Sequence, residues 1–141
     1  MANLPYYEQK DRENTKKLRE LIKALPLFCS TFFRGIEPLT SSRTRIAYAY
    51  DLKVFFDFLM KENPELSKLT MQDITLSHLD QLRVSDLEEY MEYLKYRFNE
   101  KNQEVVNKER GIMRKIASLK SFYNYYYRNE LITQNPASIV K

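Results

Sequence analysis

Cysteine, histidine and glycine are nearly missing from this 141-residue chain, and each shortage closes off a kind of chemistry. Cys29 stands alone, so there is no internal disulfide and no cysteine-based zinc cluster, which fits a reduced, cytoplasmic setting. The single histidine, His78, cannot make a two-histidine metal site and reads as an exposed loop or helix-end residue. With 2 glycines and 5 prolines there are few interruptions, and no alternating stretch of four or more residues reads as a strand. No apolar run approaches the length of a bilayer span. The opening MANLPYYEQKDREN lacks the apolar block of a signal peptide, so the protein is expected to stay in the cytoplasm and away from membranes. There is also no Gly-rich phosphate loop, HExxH pair or nucleophile-elbow serine. No catalytic residue, metal or cofactor is expected, and an enzyme acting by itself is disfavoured.

What remains is helix-forming sequence rich in tyrosine, with 11 in all, at a length that suits one domain. Net charge is +4, from 23 basic and 19 acidic residues. That excess is compatible with nucleic acid and does not single it out, so the placement of charge has to carry the argument. The N-terminal 25 residues open polar and become amphipathic, with Leu18, Leu21, Ile22 and Leu25 on one stripe. Such a helix docks on the main body or on a neighbouring subunit, or extends as a solvated arm. Residues 26–39 form a connector holding Leu27, Phe28, Phe32 and Phe33, with a helical turn over 27–34 ended by Gly35.

Caps at Thr40, Ser41 and Ser42 begin a helix whose stripe is Tyr48, Leu52, Phe55, Phe56 and Leu59, stopped by Asn63-Pro64. Residues 66–83 read as a loop with one short helix over 77–82. Ser85 to Glu88 has capping-box spacing, and Leu87, Met91, Leu94 and Phe98 carry a helix to about Asn99. Asn107 caps the last long helix, on which Ile112, Ile116, Leu119, Tyr123 and Tyr126 face a core. Asn129, tolerant of the left-handed conformation, should end it, with Leu131 and Ile132 folding back and Asn135-Pro136 barring continuation. The architecture expected is all-α.

Two faces stand out. The far side of the last helix presents Arg110, Arg114, Ser118, Ser121, Tyr125 and Arg128 with no acid among them, a surface suited to phosphates and base edges. The outer side of the helix that begins near Ser42 carries Arg43, Ala47 and Tyr50 close to its N-terminus, where the macrodipole favours an anion and small Ala47 allows close approach.

The segments SRTRIAYAYDLKVFFDFL (42–59) and IASLKSFYNYYYRNELITQNPASI (116–139) resemble the N-terminal core-binding, or SAM-like, domain of phage-integrase-type tyrosine recombinases. The shared pattern is Thr44, Tyr48, Asp51-Leu52, Phe55 and Leu59, then Leu119, Phe122-Tyr123, Leu131-Ile132 and Asn135-Pro136-Ala137. The middle segment SDLEEYMEYL fits the intervening helix. The resemblance runs from about Leu39 to Lys141 and implies a compact four- to five-helix orthogonal bundle with an additional N-terminal helix. It divides the chain into an N-terminal helix and connector (1–38), a core-binding helical domain (39–134) and the start of a linker (135–141) to a C-terminal catalytic domain of the same protein.

In that family the helical domain clamps one face of the recombination-site DNA while the catalytic domain clamps the other and exchanges strands. The resemblance therefore implies double-stranded DNA as partner, a homo-oligomer on that DNA, and a bacterial or phage-encoded source. Carried over, Ser42, Arg43, Thr44 and Ala47, with Arg114, Lys115, Ser118 and Ser121, are the groove-facing candidates, beside Tyr50, Arg110 and Tyr125 from the faces above. Lys115 sits nearer the core edge and would reach around by its stem. The family's catalytic residues belong beyond residue 141; His78 is followed by Leu79, Asp80 and Gln81, so its His-X-X-Arg element is not here. The competing reading is a helical protein-interaction module that docks a partner through Tyr125, Tyr127 and the N-terminal helix.

Overall fold

The computed structural model describes residues 5–140; residues 1–4 of the polar N-terminal stretch and Lys141 lie outside the described residues. Six α-helices carry the described chain: α1 (Tyr6–Lys23), α2 (Cys29–Ile36), α3 (Ser42–Glu62), α4 (Leu76–Asp80), α5 (Val84–Lys95) and α6 (Glu109–Arg128). The all-α class is as expected, five helices plus the additional α1, with one departure between α5 and α6. There, β1 (Arg97–Phe98) pairs antiparallel with β2 (Glu104–Val105), so α5 stops at Lys95 and Phe98 leaves the helical stripe for solvent. The turn has its own chemistry: Asn102 takes φ 58°, and the Asn99 carboxamide oxygen accepts from the amides of Lys101 and Gln103, each at 2.9 Å.

The core follows the helical stripes. Leu52, Phe55, Phe56 and Leu59 of α3 meet Ile112, Ile116, Leu119, Phe122, Tyr123 and Tyr126 of α6, all buried. The connector is part of this core. Phe32 of α2 meets Phe122 edge-on at 5.2 Å between centroids, and Phe122 meets Tyr126 at 5.0 Å. Such pairs add about 0.5–1.5 kcal/mol each beyond their buried area. Two buried tyrosine hydroxyls find main-chain acceptors: Tyr126 donates to the Phe28 carbonyl at 2.7 Å and Tyr123 to that of Leu79 at 3.3 Å.

α1 docks on α3, burying Leu18, and the Ser42 hydroxyl donates to Asp11 at 2.7 Å. Of the three arrangements open to α1, packing on the body of its own chain is the one found. Several local signals land elsewhere than the sequence suggests. Gly35 lies inside α2 rather than ending it, and a Cβ there would collide with the Tyr125 ring. Arg83, not Ser85, precedes α5, its amide donating to Asp86 at 2.7 Å. At the end of α6 the left-handed residue is Glu130, φ 59°, while Asn129 stays at φ −89°. The amides of Leu131 and Glu130 reach back to the carbonyls of Tyr126 (2.9 Å) and Tyr127 (3.1 Å), the bond pair of a Schellman ending. No described helix is long and apolar enough to cross a membrane.

Candidate nucleic-acid interface

At its N-terminus α3 is anchored by its own side chains. The Ser41 hydroxyl accepts from the Thr44 amide at 3.1 Å and lies 3.0 Å from the Thr44 hydroxyl, so Thr44 works in the cap and is half-buried. Ser42 is buried against α1. Its groove-facing assignment is corrected: the hydroxyl is spent on Asp11. Arg45, also buried, donates to the carbonyls of Glu37 and Thr40 and fixes the corner between α2 and α3. Arg43, by contrast, is exposed and free of ion pairs among the described residues. Ala47, one helical turn on, is exposed as well.

One turn further is Asp51, 3% exposed and the hub of the site. Its carboxylate accepts from Arg114 Nη1 at 2.7 Å, from Lys115 Nζ at 3.1 Å and from Ser118 Oγ at 2.6 Å, three donors from one face of α6. Lys115 and Ser118 are buried. The exposed position expected for Ser118, and the reach from the core edge around to the surface expected for Lys115, are thereby corrected: a carboxylate in the core needs compensating donors, and these two supply them. Arg114 differs. Its side chain keeps about half its surface in solvent (55%) while one nitrogen holds Asp51, so the guanidinium is oriented and still has open donors.

Asp51, Arg114 and Lys115 line a groove of about 820 Å³ walled mainly by α3, α6 and the β1–β2 hairpin. Ala47 and Tyr50 come from α3, Arg114 and Lys115 from α6, and Arg97 and Lys101 from the hairpin. Six cationic side chains face three acidic ones along it. Two of those acids, Asp57 and Glu100, are held by Lys53 at 2.6 and 3.1 Å, and the third is Asp51. The hydrogen bond from Lys53 keeps the Glu100 carboxyl below the usual range.

The remaining candidates are not brought into the groove. Arg43, exposed one helical turn before Ala47, is not among the residues that line it. Arg110 is exposed near the start of α6. Ser121 lies with Lys120, Asn124, Asn135 and Ser138 in a separate shallow depression. Tyr125 is half-buried, its ring 5.7 Å from that of Phe32 and seated over Gly35, so it packs α6 on α2 and is corrected from an open surface position. Sequence reasoning missed Asp51 and Arg97 as site residues. The signal for Asp51 was present: it lies three residues after Tyr48 and four before Phe55, on the apolar stripe.

A family model described as the phage integrase SAM-like domain matches residues 25–141. The chain belongs to this family. Among curated proteins it is 39% identical over 100 residues to the tyrosine recombinase XerC of Caldanaerobacter subterraneus, covering 68% of this chain and 27% of that protein. The tyrosine recombinase XerC of Leptospira interrogans is 31% identical over 103 residues, 73% of this chain and 27% of the relative. That of Anoxybacillus flavithermus is 27% identical over 104 residues, covering 74% and 28%. The chain thus spans a little over a quarter of the length of these relatives. No solved structure matches. Within this SAM-like domain the match begins after α1, so α1 is an addition docked on the family's bundle. A larger cavity, about 950 Å³ between α4, α5 and the C-terminal segment, lies away from the groove. There Asp80 accepts from the amides of Thr133 and Gln134, each at 2.9 Å, and ties down the residues that follow α6.

Proposed function

We propose that this chain is the DNA-binding part of a site-specific tyrosine recombinase, holding one face of the recombination-site duplex in the groove between α3, the hairpin and α6. Residues 39–134 form the binding core, residues 1–38 add α1 and α2 to it, and 135–141 begin the connection to a catalytic domain of the same protein. That catalytic domain and further copies of the chain on the same DNA are its partners. Arg43 and Arg114 contact phosphates or guanine edges, Ala47 admits the backbone and Tyr50 lies against the sugar-phosphate edge, while Arg110 and Ser121 are outlying contacts. Lys115 and Ser118 act through Asp51, which orients Arg114.

The reading is supported above all by Arg114, a half-exposed guanidinium aimed by a buried carboxylate into a groove with a cationic majority. A protein-docking module has less support, because Tyr125 is already packed on α2. The test is a salt titration of duplex binding by the whole chain, read by fluorescence anisotropy. About four to six phosphate contacts give a log–log slope near −4 to −5. Arg43→Glu and Arg114→Gln should each weaken binding and flatten that slope, with helicity unchanged by circular dichroism. Unchanged affinity and slope in both variants would remove the assignment.

A further inference from the structure

The hairpin carries polar atoms that packing does not explain. Arg97 opens β1 and lines the groove, and its Nε is buried with no hydrogen-bond partner. Tyr90 of α5 is 1% exposed, its hydroxyl is likewise unpartnered, and it lies within electrostatic reach of Asp51, Arg97 and Arg114. Unpaired buried donors are rare in folded proteins, and Arg97 Nε, on a residue that lines the cationic groove, marks a place where an acceptor is needed.

The hairpin is also held firmly. Lys53 of α3 bridges Asp57 and Glu100, tying the turn to the helix. Asn99 braces the turn from within, and Tyr96 donates to Glu104 across it at 2.9 Å. With Glu100 already matched by Lys53, Arg97 and Lys101 are left as hairpin cations without ion-pair partners among the described residues.

We infer that the hairpin is a phosphate-binding wing: Arg97 takes one backbone phosphate of duplex DNA lying in the groove through its guanidinium fork, and exposed Lys101 takes a neighbouring one. The inference rests on the DNA-binding reading and adds a third element to the two helices. A rigid wing contributes contacts without the ordering cost that a mobile loop pays on binding.

The experiment is a salt-dependent anisotropy titration of a mixed-sequence duplex oligonucleotide with the whole chain and with Arg97→Gln, Arg97→Lys, Lys101→Gln and, as references, Arg43→Gln and Arg114→Gln. Arg97→Gln should weaken binding about tenfold and flatten the log–log slope by about 0.9. Arg97→Lys should keep the slope and lose most of that affinity, because an ammonium lacks the fork. Lys101→Gln, at an exposed turn, should flatten the slope with a smaller loss. If Arg114→Gln weakens binding while both Arg97 variants and Lys101→Gln match the parent, the wing is overturned and the groove reading stands. If no variant differs from the parent, or the parent does not retain duplex at low salt, both fall.

Discussion

Arg114 on α6 and Asp51 on α3 meet at 2.7 Å with very unequal surroundings, the arginine half in solvent and the carboxylate in the core. The pair therefore joins the interior of the bundle to the surface proposed to meet DNA. Lys115 completes it from the inside at 3.1 Å. The energetics of such a cluster are lopsided: a satisfied buried pair contributes little net stability, while removal of one member leaves an unpaired charge in low dielectric.

Asp51→Ala is accordingly expected to cost about 3–5 kcal/mol in urea denaturation, mostly from stranding Lys115. Lys115→Met in the same background should recover most of that loss, because an unbranched apolar side chain fills the space without a charge. A loss under about 1 kcal/mol for Asp51→Ala would place the cluster among surface ion pairs and separate Arg114 from the core.

Gly35 makes the second case, because the usual sign is reversed there. Replacing a helix-interior glycine with alanine normally gains about 0.5–1 kcal/mol. At Gly35 the new methyl would meet the Tyr125 ring, which would have to leave Phe32. Gly35→Ala should therefore destabilise by about 1–2 kcal/mol. In a Tyr125→Ala background the same change should become neutral or stabilising. A stabilised Gly35→Ala single variant would mean that Tyr125 is not seated over α2.

Those two sites also mark what was readable in advance. The helices were legible because each carries an apolar stripe of three- and four-residue spacing, and the stripes of α3 and α6 are the buried ones. The Asp51–Lys115 contact was half-legible. Lys115 follows Ile112 by three and precedes Leu119 by four, so each charge interrupts a core stripe and each needs a partner inside. Sending Lys115 from the core edge around to the surface overlooked that symmetry. The hairpin was not legible, since strands of two residues are too short for alternation and the turn is made by the side chain of Asn99 and the left-handed Asn102. The end of α6 shifted by one residue because Asn129 uses its carboxamide on the Tyr125 carbonyl at 2.7 Å, leaving Glu130 to take the left-handed turn.

Tyrosine burial gives an alkaline signature. Desolvation raises the hydroxyls of Tyr90, Tyr123 and Tyr126 above the ordinary tyrosine range. The folded protein holds these three protons more tightly than the unfolded chain. Their contribution is therefore complete below about pH 10 and is lost as pH rises beyond it. Three such protons give a decline of about 4 kcal/mol per pH unit at the steepest. Tyrosinate absorbance should then include a late phase in which the buried three ionise together with loss of helicity. Tyr90→Phe should shallow the decline by about a third and, because its hydroxyl has no partner, leave stability at pH 7 unchanged or improved. A single absorbance phase near pH 10 with helicity intact would show that these hydroxyls titrate in contact with water, against the packing described for α5 and α6.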